Sequence, residues 1–189
     1  NYKQKYIVWD LETCNVNLAT TNYPWQLSYL IAEGENILEI KDNYILWPEN
    51  PQESANMIRE HIKKRDNLKS VGVIITDSKT TPLRWGVTGA AIAHSGFAAL
   101  NNKIGTLDIF GRELKVTQVN VMDGLAASAA LVMGEAAEQT PLAVIEDVPF
   151  VKFQDRNPTI EELKALHISL EEDLYAPILI RAPWKKGEA

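Results

Sequence analysis

The feature that most constrains the fold is an unbroken apolar run, SVGVIITDS, over residues 70–78. A strand with one face in water alternates apolar and polar residues, whereas a continuously apolar strand suits burial on both faces. The run therefore predicts an interior strand of a sheet that is covered on both sides. Its carboxyl end presents Asp77 and Ser78 to whatever lies beyond the sheet.

A helix is strongly predicted just before this strand, in ENPQESANMIREHIKKR. Asn50 suits the N-cap, Pro51 suits the first helical position, and Glu53 follows the cap by three residues. We expect the helix to span about residues 51–65. Apolar residues recur on one of its faces at helical spacing, namely Ala55, Ile58 and Ile62.

Weaker patterns predict the remaining elements. The glycine- and alanine-rich stretch at 86–100 suits a curved strand or a close approach between backbones. A helix is expected over 123–134, with Asp123 as its cap and Gly134 as its stop. Another helix begins with a capping box formed by Thr159 and Glu162. Strands are expected at 5–9, 26–33, 36–40, 113–121 and 141–148.

These patterns predict an α+β fold, with a mixed sheet and packed helices. Residues 1–45 have the pattern of a short β-meander, while residues 46–189 alternate helix and strand. We therefore place a domain boundary near YILWPENP, at residues 44–51.

Composition narrows the classes of function. The net charge of −6 disfavours a general polyanion binder, and the basic stretch REHIKKR at 59–65 fits a solvated helix face. No apolar run reaches the length of a membrane span, and the opening residues are too polar for a signal peptide. The single cysteine, Cys14, excludes an intrachain disulfide and suits a structural role in a cytoplasmic protein.

The opening stretch KYIVWDLETCNVN carries Asp10, Glu12 and Thr13, and Gln26 follows in the next predicted strand. This pattern resembles the first motif of DnaQ-like 3′–5′ exonucleases, which implies two-metal hydrolysis of nucleic acid with Asp10 and Glu12 as ligands. The later aspartates and the catalytic His or Tyr of that family have no clear counterpart. A polar strand end with a capped turn explains the same residues.

Three longer stretches resemble another family: VGVIITDSKTTPLRWGVTGAAIAHSG, DIFGRELKVTQVNVMDGLAASAALVMGE and PLAVIE. Their order and spacing are similar to the coenzyme F-420 γ-glutamyl ligases, best over about residues 46–148 and more weakly to 189. The resemblance is greatest to a divergent bacterial branch assigned to folate metabolism. The signal covers far more of the chain than the exonuclease motif does.

This resemblance implies a GTP-dependent ligase that uses Mg²⁺ or Mn²⁺, phosphorylates a carboxylate acceptor and lets the amine of glutamate attack it. It implies Asp77 and Ser78 as metal ligands and Glu135 as a metal or nucleotide contact. Arg84 and Gly86 match the family's Arg-x-Gly, where the arginine would clamp a phosphate or carboxylate. The family also implies a homodimer. We expect no membrane partner, because no apolar run reaches the length of a membrane span.

Departures from the family bear on the substrate and on activity. Lys79, Thr80 and Thr81 replace Phe-Gly-Arg, and Val87 replaces a glutamine. The family's upstream Gly-(Val/Ile)-Asp-x-Ser-Asn is absent, since EGENILEIKDN stands in its place. A natural fusion, an engineered chimera and a misjoined gene would each give such a composite, and a non-catalytic scaffold remains a third functional alternative.

Several polar residues have structural interpretations. Asp108 and Arg112 suit a turn with an ion pair, and Asp123 suits a helix cap better than a metal ligand. His94 lies among small residues, which favours a buried, hydrogen-bonded histidine.

Overall fold

The computed structural model of the protein describes residues 5–10 and 47–182. The strands predicted at 26–33 and 36–40 and the structural role predicted for Cys14 lie outside these residues. Within 47–182, no helix combines the length and the apolar character that crossing a bilayer requires.

The first described helix, α1, spans Pro51–Arg65, as the sequence predicts. The Asn50 side chain accepts a hydrogen bond from the Glu53 backbone N–H at 3.1 Å, which satisfies one of the unpaired donors of the first turn. Ala55, Ile58 and Ile62 are buried on one face. The predicted bounds and N-cap of α1 are therefore confirmed.

A four-stranded sheet forms the centre of the fold. Its strands are β1 (Lys5–Asp10), β2 (Val71–Thr80), β3 (Val87–Ser95) and β6 (Leu142–Glu146), in the spatial order β3-β2-β1-β6. β1 and β2 are parallel, whereas β3 pairs with β2 and β6 pairs with β1 in the antiparallel sense. With the helices packed on it, this mixed sheet makes the fold α+β, as predicted.

The core lies on both sides of β2. Val71, Val73 and Ile75 cluster with the buried face of α1. Ile74 and Thr76 face the other way, because side chains alternate along a strand, and both are also buried. That second face is covered by the helix α2, Val121–Met133, which contacts β2 and β3. The predicted two-sided burial of β2 is therefore confirmed.

Two short strands, β4 (Leu100–Asn102) and β5 (Gln118–Asn120), form a second, antiparallel pair. The strand predicted over 113–121 is therefore wrong in length. Gly105 and Gly111 have positive φ, and the chain between β4 and β5 pairs through isolated bonds, such as Gly105 N–H to Leu114 O at 2.9 Å. A bend at residues 115–116 interrupts the predicted strand, so no continuous ladder forms there.

The predicted turn and ion pair at Asp108 and Arg112 are confirmed. The Asp108 carboxylate accepts the backbone N–H groups of Phe110 and Arg112 and a side-chain bond from Arg112 Nε at 2.9 Å. The backbone N–H of Arg112, more than any other group, lowers the pKa of Asp108 below its usual range.

Helix α2 begins at Val121, two residues before the predicted range. Its cap is Asn120, whose side chain accepts the N–H of Asp123 at 3.0 Å, so the prediction of Asp123 as the cap is wrong. Asp123 instead lies in the first turn, where a negative charge favours the helix dipole. Gly134 ends the helix with φ +87°, as predicted.

Residues Thr159–Ala189 form a separate compact unit, described as far as residue 182. It contains two short helices, α3 (Ile160–Lys164) and α4 (Ala176–Leu179). The predicted capping box of Thr159 and Glu162 is present, with both of its reciprocal hydrogen bonds.

The predicted domain boundary at residue 45 lies outside the described residues and stays a prediction. The described strand of the front segment, β1, is paired along its length with β2, from Lys5 with Val71 to Asp10 with Thr76. It is also paired with β6, so it occupies an interior position in the sheet.

Candidate functional site

The carboxyl end of β2 changes from buried to exposed over a few residues. Residues 71–76 are buried, Asp77 and Ser78 are half-buried, and the two that follow are exposed. The pairing with β3 shifts register between Ile75 and Thr76, immediately before Asp77. Such irregularities often occur beside functional sites, where they redirect a side chain. The strand thus delivers two oxygen-bearing side chains to the sheet edge.

The Asp77 carboxylate has two described contacts. Its Oδ1 accepts the backbone N–H of Ser78 at 2.7 Å, and its Oδ2 accepts the indole Nε1–H of Trp47. Each carboxylate oxygen can accept more than one bond, so both retain capacity for a further ligand. The sequence pattern did not predict a role for Trp47, because nothing local links it to a residue 30 positions away.

Ser78 and Glu135 meet across the fold. The Ser78 hydroxyl donates to Glu135 Oε2 at 2.6 Å, although the two residues are 57 positions apart. Glu135 directly follows Gly134, whose left-handed backbone turns the chain at the end of α2. Two of the residues that the sequence predicted as metal ligands are therefore in direct contact.

Close packing between α2 and β3 makes this meeting possible. A Cβ at Gly89 would lie 2.7 Å from the Ala126 carbonyl oxygen and 2.7 Å from Ala130 Cβ. Only glycine allows the backbones to approach this far, which confirms the close approach predicted for the 86–100 stretch. In the strand register, Gly89 is opposite Ser78. Helix α2, which ends two residues before Glu135, is thus packed directly beside Ser78.

Asp123, in the first turn of α2, connects the amino end of this helix to β3. Its Oδ1 accepts the Ala91 N–H at 2.9 Å, and its Oδ2 accepts Asn120 Nδ2 at 2.8 Å. Lys79 Nζ lies 3.8 Å from the same Oδ2, a weak and partly exposed ion pair. These contacts give Asp123 a structural role, as predicted, even though it is not the cap.

Arg84 and Gly86 lie in the exposed loop between β2 and β3. Gly86 has φ +94°, and a Cβ there would meet nothing within 4 Å. The Arg84 backbone N–H bonds to Thr81 O at 3.2 Å, and its side chain is exposed. Neither residue is bonded to Asp77, Ser78 or Glu135 within the described part of the chain. Their predicted roles therefore stay predictions.

The residues of the exonuclease-like motif are only partly described. Asp10 is the last residue of β1, and its Cα pairs with Thr76 in the parallel register, one position before Asp77. Carboxyl ends of parallel strands meet at one edge of a sheet, so acidic residues of both motifs occupy the same edge. Glu12, Thr13 and Gln26 lie outside the described residues.

The donor chemistry at this edge suits a hard divalent cation. Asp77, Ser78 and Glu135 offer carboxylate and hydroxyl oxygens, the ligands that Mg²⁺ and Mn²⁺ prefer. Within residues 47–182, no three His, Cys, Asp or Glu side chains gather as a ligand set. Mg²⁺ is commonly held by one or two carboxylates together with waters and substrate phosphates, so two carboxylates and a hydroxyl fit it.

Comparison with known proteins identifies the family. The model of the family described as F420-0:Gamma-glutamyl ligase matches residues 30–147, which is more than half of the chain. This protein belongs to the F420-0:γ-glutamyl ligase family. The match includes Asp77, Ser78 and Glu135 together with the helix and strands that bring the last two into contact.

Several curated members of the family are similar to this chain. A coenzyme F420:L-glutamate ligase of Methanocaldococcus jannaschii is 50% identical over 107 residues, covering 56% of this chain and 43% of the relative. That of Methanococcus maripaludis strain C7 is 48% identical over 108 residues, covering 57% and 43%. That of Methanopyrus kandleri is 45% identical over 100 residues, covering 53% and 39%. The chain thus matches about two-fifths of each relative's length.

Proposed function

We propose that this chain provides the metal- and nucleotide-binding part of a γ-glutamyl ligase, an enzyme that joins L-glutamate to a carboxylate acceptor through an amide bond. One observation carries the proposal. The fold brings Ser78 at the end of an interior strand into contact with Glu135 at the end of a helix, beside the half-buried Asp77. Family membership and relatives named as glutamate ligases support the same reaction class.

Asp77, Ser78 and Glu135 would hold Mg²⁺ or Mn²⁺ at this edge. When bound, the cation would offset the negative charge of GTP phosphates during phosphoryl transfer. The chain's own residues organise the site. The Ser78 N–H and the Trp47 indole orient the Asp77 carboxylate. The Glu135 carboxylate accepts a hydrogen bond from the Ser78 hydroxyl. Arg84 and Gly86 lie in the adjacent exposed loop, where no atom of the described residues crowds the Gly86 backbone, and they suit the binding of a substrate phosphate or carboxylate.

Metal binding tests the proposal on the chain itself. Mn²⁺ is titrated into the full chain with and without GTP, and free Mn²⁺ is followed by electron paramagnetic resonance. We expect Asp77→Asn and Glu135→Gln each to weaken Mn²⁺ binding tenfold or more, about 1.4 kcal/mol. Asp66→Asn is the matched control, because Asp66 is an exposed carboxylate paired with Arg65. Equal Mn²⁺ affinity in wild type and Asp77→Asn would contradict the site.

The acceptor is tested by turnover. We propose either coenzyme F420-0 or, as the divergent branch suggests, a folate as the carboxylate acceptor for glutamate. GDP release from GTP is measured with glutamate and each acceptor in turn. Release that needs both glutamate and one acceptor identifies that acceptor. Metal binding without any acceptor-dependent GDP release favours a non-catalytic scaffold.

We propose a cytoplasmic homodimer for the assembled protein. The segment between β4 and β5 exposes several large apolar side chains, which a second copy would cover: Ile104, Leu107, Ile109, Phe110 and Val116. Sedimentation velocity of wild type and Ile109→Glu tests this. A dimer that dissociates in the variant supports the proposal, and a wild-type monomer at high micromolar concentration contradicts it.

A metal-dependent exonuclease is the alternative function. The observation that favours it is the position of Asp10 at the same sheet edge as Asp77. Single-stranded DNA is incubated with Mg²⁺ and either wild type or Asp10→Asn. Degradation by wild type alone would support this alternative, and intact DNA in both reactions would remove it.

A further inference from the structure

A second candidate site lies at the opposite end of β2 from Asp77. A recess of about 570 Å³ is formed by the last two turns of α1, the residues just after it and the segment 155–157. Four basic and two acidic side chains line it, although the whole chain carries a net charge of −6. The lining charged residues are Arg59, Glu60, Lys63, Lys64, Asp155 and Arg156.

Arg59 is the buried cation of this recess. Its side chain is only 5% exposed, and burial lowers the pKa of its guanidinium below the ordinary value. Its Nη1 donates to Asn157 Oδ1 at 3.1 Å, and its Nη2 reaches Gln154 O and Asp155 Oδ1 only at 3.5 Å. Within the described residues its Nε has no hydrogen-bond partner. A buried charge is costly unless closely paired, so Arg59 is under-compensated.

The carboxylate nearest to Arg59 is not itself buried. The Asp155 side chain is 72% exposed and forms ion pairs with both Arg59 and Lys63. Glu60, the other acidic residue, offsets part of the Arg59 charge and also accepts a bond from Asn157 Nδ2 at 2.8 Å. Asp155 is the exposed carboxylate that forms ion pairs with Arg59 and Lys63, so an external anion with more charge can displace it.

The recess is separate from the metal site. Arg59 packs on Gly96, where a Cβ would lie 2.6 Å from Arg59 Nε and 2.2 Å from the carbonyl oxygen of Val71. Val71 begins β2 and Ser78 lies near its other end, which corresponds to about 20 Å along a strand. Ligand binding in the recess thus does not depend on the proposed ligase chemistry.

We propose that this recess binds the phosphate group of a small anionic molecule, which displaces the Asp155 carboxylate from Arg59 and Lys63. A guanidinium presents paired N–H donors that match phosphate oxygens, and a dianion compensates a buried cation better than one exposed carboxylate does. Lys64 and Arg156 are exposed at the edge of the recess and raise the local positive potential.

The test uses inorganic phosphate with the full chain at pH 7 and constant ionic strength, followed by isothermal titration calorimetry. We expect millimolar binding in wild type. Asp155→Asn removes the internal competitor and tightens phosphate binding about threefold or more, while Lys63→Gln weakens it by at least that factor. Lys115→Gln is the matched control, because Lys115 is an exposed lysine paired with Glu113.

Each result decides the matter. Absence of phosphate binding up to 20 mM (about twenty times a Kd of 1 mM), or equal affinity in wild type and Asp155→Asn, would overturn the proposal. Succinate is titrated as a dicarboxylate of similar charge, and equal affinity for succinate would overturn the assignment to phosphate. Asp77→Asn must leave phosphate binding unchanged. A changed phosphate affinity in that variant would place the bound phosphate at the metal site, whereas a failed ligase reaction would leave this result unaffected.

Discussion

The two ends of β2 are held in different ways. At the amino end, Val71 and Val73 are buried against α1, and Gly96 lets Arg59 pack tightly over the strand. At the carboxyl end, Asp77 and Ser78 are half-buried and are held by hydrogen bonds with Trp47 and Glu135. Apolar burial supplies most of a fold's stability, whereas binding residues must be free to exchange partners. One strand thus carries a stabilising end and a functional end.

The largest expected effect is at the stabilising end. Gly96→Ala adds a Cβ 2.2 Å from the Val71 carbonyl oxygen and 2.6 Å from Arg59 Nε, in a backbone with φ +87°. Overpacking and left-handed strain together should lower the free energy of unfolding by about 3 kcal/mol or more. Urea denaturation followed by circular dichroism measures the change.

Gly105→Ala is its matched control. Gly105 has a similar φ of +80°, but a Cβ there would meet nothing within 4 Å. Only the strain of the left-handed conformation applies, so the loss should be about 1 kcal/mol. Equal losses at Gly96 and Gly105 would mean that the contact with Arg59 and Val71 adds nothing, and the contrast between the two ends of β2 would fail.

The next effect links stability to the functional end. Gly89→Ala places a Cβ 2.7 Å from atoms of Ala126 and Ala130, which should push α2 away from β3. We expect a loss of about 1–3 kcal/mol in unfolding free energy, because the facing atoms are largely backbone. The shift should also separate Glu135 from Ser78 and weaken Mn²⁺ binding beyond what the lost stability explains.

Gly124→Ala controls for adding a methyl group near the same helix. Gly124 lies within α2 and a Cβ there would meet nothing within 4 Å. Alanine should stabilise the helix by roughly 0.5–1 kcal/mol and leave Mn²⁺ affinity unchanged. If Gly89→Ala binds Mn²⁺ as tightly as Gly124→Ala does, the packing of α2 on β3 does not affect the metal site.

A smaller effect on stability is expected at the functional end itself. Trp47 is 56% exposed, so Trp47→Phe should change the unfolding free energy by less than about 1 kcal/mol. The substitution removes the indole donor that orients the Asp77 carboxylate, so Mn²⁺ affinity should fall by up to about tenfold. Unchanged Mn²⁺ binding would contradict a positioning role for the indole, and tighter binding would show that the indole competes with the metal.

The smallest effect lies outside both ends, at the Asp108 turn. Bonds from Arg112 and Phe110 lower the pKa of Asp108 from its ordinary value of 3.8. A carboxyl group whose pKa is lower in the folded than in the unfolded protein stabilises the folded state at pH values above its unfolded-state pKa. This contribution is lost as the pH falls through the folded-state pKa. We therefore expect the unfolding free energy of Asp108→Asn to depend less on pH below about pH 4 than that of wild type. Urea midpoints between pH 2 and 6 measure this dependence, and an identical dependence in both proteins would contradict the prediction.

Much of the local structure could be predicted from neighbouring residues. The bounds of α1, the two-sided burial of β2, the Gly134 stop and the Thr159–Glu162 capping box depend on interactions within a few positions. The errors arose where two local patterns competed. Asn120 and Asp123 are both good caps, and the alternation over 113–121 gave no sign of the bend at residues 115–116.

The sequence by itself determined much of the secondary structure, the family and the polar end of β2, because most helix caps, apolar periodicity and short motifs are local properties. Only the tertiary structure decided that Ser78 contacts Glu135, that Trp47 contacts Asp77 and that Arg59 faces a basic recess. Those contacts join residues tens of positions apart. They depend on how closely helices approach the sheet, which is set by side-chain volumes at places such as Gly89 and Gly96.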